Sequence, residues 1–236
     1  MKKILITGCG LLAAVLFSHS GIAQQKETIE GSGNVITKEI AVQPFDGLKA
    51  GGVFNVILQQ GSKEQVKIEA EDNLQPLFQV TNEGSTLTIR MKKDVNLKHF
   101  KKMNVYVTFR NLKSLNLSSV GNITATGSLH FDDLQLENNS VGNVDLDLAV
   151  QKLSVKNNSV GSLTLSGKAD NAVIKSNSVG SIQAAGFVVQ VMDIQNDGVG
   201  GAEVNAVKEL KVRDSFLGKV KNNGSATAKK TNRQVI

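Results

Sequence analysis

The 236-residue chain has few of the residues that build disulfide frameworks or sugar-stacking surfaces. It contains no tryptophan, one tyrosine, two prolines and a single cysteine, Cys9. One cysteine cannot form an internal disulfide, so the chain is not a disulfide scaffold. The scarcity of large aromatic rings also leaves no evident row of rings on which sugars could stack.

The region between Leu115 and Val220 also lacks any window long enough for an amphipathic helix, which excludes leucine-rich, ankyrin and tetratricopeptide arrays. It has instead a repeated phrase, Ser-Val-Gly followed by Asn or Ser, and such recurrence is typical of a repeat protein. The four clear copies and two degenerate ones are Ser119–Asn122, Ser140–Asn143, Ser159–Ser162, Ser178–Ser181, Gly198–Gly201 and Phe216–Lys219.

Apolar residues recur with the same period as the phrase. An alternating apolar pair precedes each copy and a second pair follows most copies, which is strand periodicity. The first members of the preceding pairs lie 19, 19, 19, 20 and 18 residues apart, at Leu115, Leu134, Leu153, Ala172, Met192 and Leu210. The sequence therefore predicts an all-β fold, a single-stranded right-handed parallel β-helix with coils of about 19 residues.

The period also predicts which residues stack. We expect one inward column of Leu134-Leu153-Ala172-Met192-Leu210 and another of Val144-Leu163-Ile182-Ala202-Val220. The first coil is read as two residues shorter in its turn, between Leu117 and Val120. The glycines after the valines are expected to turn corners at positive φ, and Gly167 to be less sensitive to substitution. These corner glycines are Gly121, Gly142, Gly161, Gly180, Gly200 and Gly218.

Polar residues also line up at one corner, and two interpretations are open. The columns are Asn138/Asn157/Ser176/Asn196, Asn139/Asn158/Asn177/Asp197 and Ser140/Ser159/Ser178. They can form structural ladders, in which side chains hydrogen-bond along the stack. Alternatively, they form a polar ridge for glycan hydroxyls or a weak calcium site.

The N-terminus has the pattern of an export signal. Lys2 and Lys3 precede an apolar run to Phe17, and Gly21-Ile22-Ala23 is a small-x-small cleavage site. Residues 1–23 are predicted to be a signal peptide; the alternative is a lipoprotein acylated at Cys9. Residues 24–236 are predicted to form one β-helix domain, with less regular first coils over 29–110, regular coils over 111–224 and a polar basic tail over 225–236.

Positive charge is concentrated in one segment of a chain whose formal net charge is +6. Residues 90–102 contain only Asp94 as an acid. The segment is either a solvated loop that blocks strand addition or a binding surface for an anionic glycan or envelope component. No nucleic-acid motif accompanies it. The candidate binding residues are Arg90, Lys92, Lys93, Lys98, Lys101 and Lys102.

Catalytic and metal-binding patterns are not apparent, so we predict no enzyme activity, no metal site and no cofactor. Glycosidase chemistry needs two carboxyl groups at a defined separation. Asp145 and Asp147 share a strand face, but threonine and serine occupy the matching positions of the neighbouring coils. His99 and His130 are far apart in sequence. A polysaccharide-acting enzyme remains the main alternative.

Several motifs are similar to those of the bacterial family described as putative auto-transporter adhesin, head GIN domain. They are Gly31-Ser-Gly-Asn34, Val42-Gln-Pro-Phe-Asp-Gly-Leu48, Gly51-Gly-Val-Phe-Asn-Val56, Leu87-Thr-Ile89 and the repeated corners. The family typically has Ser-Gly-x-Gly corners, where this chain has Ser-Val-Gly.

The resemblance implies a β-helical exported domain without a catalytic residue list. We therefore predict a non-enzymatic scaffold or adhesin-like binding module of the envelope, located in the periplasm or at the cell surface. A purely structural periplasmic protein is a further alternative. No transmembrane segment is predicted in the mature chain, and the sequence does not specify an oligomeric state.

Overall fold

The computed structural model describes residues 27–230, so the predicted signal peptide, Cys9 and the last six residues lie outside the described part. A short 3₁₀ helix, Gln75–Leu77, joins the fifth and sixth strands. The strands are β1 (Glu27–Glu30), β2 (Val35–Ile40), β3 (Gly47–Gly51), β4 (Asn55–Gln60), β5 (Gln65–Glu71), β6 (Phe78–Glu83), β7 (Thr86–Met91), β8 (Val95–Lys98), β9 (Met103–Phe109), β10 (Ser114–Leu117), β11 (Ile123–Ala125), β12 (Leu129–Asn138), β13 (Val144–Asn157), β14 (Leu163–Ser176), β15 (Ile182–Asn196), β16 (Ala202–Asp214), β17 (Val220–Asn222) and β18 (Ala228–Lys230).

Parallel pairing between successive coils produces a β-solenoid of about 6 turns. Leu153 pairs with Leu134 on one side and with Ala172 on the other, and the same column continues through Met192 to Leu210. The second predicted column, from Val144 to Val220, is also paired throughout. The predicted all-β parallel solenoid is therefore confirmed.

Each long strand runs around most of one coil, and its inward side chains form the core. In β13, alternate residues from Val144 to Val150 are buried, and burial resumes at Leu153. Gln151 and Lys152, between these two stretches, are both exposed. They shift the alternation of inward and outward side chains by one residue, which marks a corner of the coil. Because complete burial of a Leu or Val side chain contributes about 1.5–3 kcal/mol, these columns are the main source of stability.

The predicted alignment of the first coil is wrong. Leu115 pairs with Leu136 rather than Leu134, which is an offset of 21 residues. The corner between Leu117 and Val120 has no deletion, because Val120 forms a bridge with Val141 at the same offset. The length difference lies instead after β11, at Thr126–Ser128, where Gly127 has φ +78° and open space around it. An exposed loop accommodates extra residues, whereas the corner is held by inter-coil hydrogen bonds.

The coils at the N-terminal end are not stacked in chain order. β3 and β4 form one coil, but β7 and β9 pair on one side of it and β10 and β11 on the other. β5 then lies antiparallel to β9, β2 antiparallel to β5, and β6 antiparallel to β7. Residues 29–110 were expected to form less regular first coils; β3, β4, β7 and β9 do form parallel rungs, whereas β2, β5 and β6 are antiparallel and cover the sheet edges at this end.

At the other end, part of the segment expected to be a tail continues the stack. Ala228 of β18 pairs with Leu210 of β16, and Lys230 pairs with Val212. Ala226 is buried beside this rung, and its N–H donates to the carbonyl of Ala206 at 3.0 Å.

Glycines occupy the corners because neighbouring backbones approach closely there. Gly161 has φ +131°, and a Cβ atom would overlap the carbonyl oxygen of Gly142 in the coil below. Positive φ also occurs at Gly121, Gly142, Gly180 and Gly200. Gly218 does not share this conformation, which corrects the expectation for the sixth corner. Glycine is required there by lack of space instead, since a Cβ atom would lie 2.6 Å from the backbone carbonyl oxygen of Asn196.

Gly167 contradicts the expectation that it tolerates substitution. Its φ is +96°, and a Cβ would overlap the carbonyl oxygen of Leu148. The pairing register between β14 and β15 also shifts beside it, between Thr164 and Gly167. Glycine is needed here because of the local positive φ and the close approach of the Leu148 backbone, not because of the corner repeat.

The predicted polar columns separate into an internal ladder and an external one. Asn157 is fully buried; it accepts a hydrogen bond from Asn138 Nδ2 at 2.9 Å and from Ser159 Oγ at 2.8 Å. Its own Nδ2 donates to Ser176 and Ser178, each at 3.2 Å. The inner residues are thus structural and closed to glycans. Outside, Asn158 donates to Asn139 Oδ1 at 3.1 Å in an exposed position.

Alanine at Gly161 should destabilise the protein by about 2 kcal/mol or more, because it combines an unfavourable φ with a backbone overlap. Gly167→Ala should have a similar effect. Gly186→Ala is the matched control, since its Cβ would meet nothing closer than Ser166 Cβ at 3.8 Å. Urea denaturation measures the three differences, and equal midpoints for all three variants would contradict this account.

Asn157→Ala should lower the free energy of unfolding by about 2 kcal/mol, because buried donors lose their acceptor. Asn158→Ala, one residue along and on the outer ladder, should change it by less than about 0.5 kcal/mol. Both values come from chemical denaturation of the purified variants. A loss at Asn158 as large as that at Asn157 would refute the distinction between inner and outer ladders.

Candidate functional site

The predicted basic segment lies at the N-terminal end of the solenoid, which the antiparallel strands β2, β5 and β6 cover and which we call the cap. It begins at Arg90 in β7 and ends with Lys102, directly before β9. Its middle is β8, which pairs in parallel with β1, so that Lys98 lies beside Glu30. The segment is therefore an ordered part of the cap.

The chain turns at both ends of β8, each time at a residue in the left-handed backbone conformation. Asp94 has φ +62° and His99 has φ +49°. Aspartate and histidine tolerate this region better than most residues other than glycine. Lys92 and Lys93, before β8, line one concavity, and Lys101 and Lys102, after β8, line another.

Three of the six predicted binding residues are engaged within the chain. Lys92 lies 3.5 Å from Glu27, and Lys102 Nζ lies 3.0 Å from Glu69. Lys101 Nζ donates to the carbonyl of Gly33 at 3.1 Å, while its backbone N–H donates to the buried Glu71 at 2.7 Å. These contacts attach the N-terminal segment and β5 to the cap.

The Glu69 carboxylate organises one side of the cap. It accepts hydrogen bonds from Asn104 at 2.9 Å and from Tyr106 at 3.0 Å, besides its contact with Lys102. The Asn104 and Lys102 side chains hold the pKa of Glu69 below its ordinary value. Burial, together with the hydrogen bond to Glu69, raises the pKa of Tyr106. Lys102 is thus committed to an internal network.

Two of the remaining three cations, Arg90 and Lys93, line a concavity of about 660 Å³ together with Lys49. Among the described residues, Lys49, Arg90 and Lys93 form no ion pair. All three line this concavity, and Lys98 does not. We call it the basic concavity; its full lining is Lys49, Gly51, Gly52, Val53, Arg90, Met91, Lys92, Lys93, Asp94, Val95, Asn96, Leu97, Phe100 and Ser118.

Sequence reasoning missed Lys49, because it is some forty residues from the basic segment. It reaches the site because β3 pairs with β7, which places Gly51 beside Arg90. The apolar part of the lining, including Val53 and Phe100, was missed as well. The arrangement combines apolar surface with cations that form no ion pair among the described residues, and such a surface suits an anionic ligand.

The positions considered for catalysis are not brought together. Asp145 lies between Thr124 and Thr164 of the neighbouring coils. Asp147 accepts a hydrogen bond from Ser166 at 2.9 Å. Within residues 27–230 there is no group of three or more His, Cys, Asp and Glu side chains able to hold a metal ion.

A larger concavity, of about 760 Å³, lies along the bend of the regular coils. Its lining is mostly aliphatic and small, and its charged members are Lys168 and Asp170, of opposite sign, together with His130. It therefore has no excess charge of one sign. In the described part of the chain, no helix is both long and apolar enough to cross a membrane.

Comparison with known proteins identifies relatives of this fold. A family model described as "putative auto-transporter adhesin, head GIN domain" matches residues 44–226. A putative adhesin of Bacteroides fragilis is 30% identical, with a TM-score of 0.74; the match covers 86% of this chain and 100% of that one. No curated protein matches significantly.

More distant structures share the fold alone. A putative adhesin from Parabacteroides distasonis is 22% identical, with a TM-score of 0.61 over 87% of this chain and 96% of that one. A protein of the same species described as a putative lipid binding protein is 16% identical, with a TM-score of 0.59 over 87% and 100%. Proteins that share this fold are described as having different functions, so the ligand of this chain must be inferred from its own site.

The sole tyrosine of the chain allows the Glu69 network to be tested by absorbance. Tyr106 should ionise above the ordinary value of about 10. Glu69→Gln should lower the ionisation midpoint, because a negative charge and a hydrogen-bond acceptor for the phenol are removed. Lys102→Gln should raise it, because a nearby positive charge that favours phenolate is removed.

The measurement is a spectrophotometric titration of wild type and both variants, with urea-unfolded protein as the reference. Since the folded-state pKa is the higher one, the contribution of Tyr106 to stability is complete below about pH 10 and decreases as the pH rises through the folded-state pKa. Shifts of the same sign in the two variants would show that the network is not as described.

Proposed function

Because the chain belongs to the family described as putative auto-transporter adhesin, head GIN domain, we propose that it is an exported, non-enzymatic binding module of the cell envelope. Its proposed ligand is an anionic envelope glycan, bound at the basic concavity. The proposal of export depends on the signal-peptide pattern of residues 1–23.

The observation that carries this proposal is the set of three unpaired cations in one concavity. Arg90 and Lys93 belong to the basic segment, Lys49 lies about forty residues earlier, and pairing of β3 with β7 brings Lys49 to the same end of the solenoid. By contrast, Lys92, which also lines the concavity, and Lys101 and Lys102, which do not, have partners within the chain. A surface with uncompensated charge of one sign attracts ligands of the opposite sign.

The form of the site favours binding over catalysis. Asp94 is the only acidic residue among residues 27–230 that lines the basic concavity, whereas hydrolysis of a glycosidic bond requires a pair of carboxyl groups. The apolar contribution of Val53, Leu97 and Phe100 provides surface for the less polar faces of a sugar chain. A purely structural role gives no reason for unpaired cations at a concave surface.

Binding to polygalacturonate, a polymer of uronic acids, tests the proposal. The purified protein should bind it, and binding should weaken as salt rises from 50 to 500 mM, because exposed charges are screened beyond about 8 Å at physiological ionic strength. The combined change Lys49→Gln, Arg90→Gln and Lys93→Gln should weaken binding by about tenfold or more, since each lost contact contributes up to about 1 kcal/mol.

The matched control removes the same number of charges from the body of the solenoid. Lys152, Lys168 and Lys175 are exposed, and none of them forms an ion pair within the described residues. Their triple Gln variant should bind polygalacturonate within about twofold of wild type. Equal weakening in both triples would mean that net charge alone drives binding. Tight binding to neutral dextran would also contradict the proposal.

A further inference from the structure

The valines of the repeated phrase face solvent, although their neighbours face the core. Ser140 and Ser159 are buried, while Val141 and Val160 are 49% and 51% exposed. Bridges join Val120, Val141, Val160, Val179 and Val199 in one line along the solenoid. An exposed line of apolar side chains at the same position of successive coils is a feature that folding alone does not require.

The line extends by one rung at each end. The N–H of Val120 donates to the Gly52 carbonyl at 2.7 Å, which places Val53 next in the line. The N–H of Gly200 donates to the Leu217 carbonyl at 3.3 Å, which places Leu217 at the opposite end. We call these seven residues the valine column: Val53, Val120, Val141, Val160, Val179, Val199 and Leu217.

Exposed phenylalanines lie near both ends of the valine column. Phe216, adjacent to Leu217, is 87% exposed, and Phe100 lines a concavity of about 600 Å³ together with Val53 and Val120. The central member of the seven is Val160. The apolar surface is therefore similar in both directions from its centre, which is the property that a twofold interface requires.

The columns beside the valines are almost uncharged. On one side lie Ser118, Asn139, Asn158, Asn177 and Asp197, and on the other Asn122, Asn143, Ser162, Ser181 and Lys219. Each side thus has a single charge among its members. A surface with so little charge is unsuited to a strongly charged partner. Its amide and hydroxyl side chains both donate and accept hydrogen bonds, so they can pair with the same columns of a second copy of the chain.

We propose that two copies of this chain associate side by side through the valine column, antiparallel and with the twofold axis at Val160. Each Val120 then lies opposite the partner's Val199, and each Val141 opposite the partner's Val179. Because the apolar surface is similar on both sides of Val160, it matches itself in this antiparallel arrangement. Val53 and Phe100, at one end of the valine column, also line the basic concavity, but the proposed interface is centred on Val160 and does not depend on the proposed function.

The size of the surface indicates a weak and reversible dimer. Seven rungs at about 4.8 Å span about 29 Å, and the flanking columns are about 13 Å apart. A strip of about 29 Å by 13 Å on each copy corresponds to roughly 750 Å² in the two copies together, which is below the standard size of a specific interface and in the range of weak, transient ones.

Sedimentation velocity over a range of concentrations tests association in the full-length protein. Wild type should shift from monomer to dimer as concentration rises. The combined change Val141→Asn, Val160→Asn and Val179→Asn should remain monomeric, with an unchanged unfolding midpoint. Val173→Asn is the matched control, because Val173 is 42% exposed outside the valine column, and it should dimerise like wild type. A wild type that stays monomeric throughout, or a triple variant that still dimerises, would overturn the proposal.

Cross-linking with a short bis-maleimide tests the arrangement in a Cys9→Ser background. Val160→Cys should give a cross-linked dimer, whereas Val173→Cys should not. Val120→Cys mixed with Val199→Cys should give the mixed dimer in excess of either self-linked product. Self-linked products alone would exclude the antiparallel arrangement, and equal linking at Val160 and Val173 would exclude the interface.

Discussion

Hydrogen bonding between successive coils is the constraint on which the rest of the structure depends. It places nearly every residue of a coil directly above the equivalent residue of the coil below, about 4.8 Å away. A residue type that recurs at one position of the coil therefore forms a continuous column along the stack. Leucines and valines become core columns, asparagines and serines become a buried ladder, and outward valines become a continuous apolar line. Glycine is retained where two backbones would otherwise collide, as at Gly161.

The regular coils could be predicted from sequence because period, pairing register and burial all follow from one repeat. The first coil could not, since Leu134 and Leu136 both fit the apolar alternation. Only the bridge between Val120 and Val141 shows which of them aligns with Leu115. The stacking order at the cap was also beyond prediction, because a local strand pattern contains no information about which strands become neighbours. The outward direction of the valines was missed for a related reason, as corner serines are buried by hydrogen bonds that only the stacked coils supply.

The candidate site shows the same division between local and long-range information. The basic segment was visible in the sequence, and the structure distributes its cations between two roles. Lys101 and Lys102 hold β5 and the N-terminal segment in place, while Arg90 and Lys93 face a concavity with Lys49. A charge count could not separate these roles, because they depend on the acids that β1 and β5 bring nearby. Only three of the six predicted residues line the concavity, and its apolar surface comes from positions that carried no charge signal.

The position of β3 and β4 between later segments has a consequence for how such a protein can change in length during evolution. Their coil is enclosed by β7 and β9 on one side and by β10 and β11 on the other, so both of its hydrogen-bonding edges are occupied. A duplicated coil inserted there would have to displace one of these neighbouring pairs of strands. Between β12 and β16, by contrast, each coil contacts only the coils directly before and after it in the chain. Duplication of 19 residues in that region would move the C-terminal rungs outward by one step and leave the cap unchanged, so relatives of different lengths should differ in the number of regular coils.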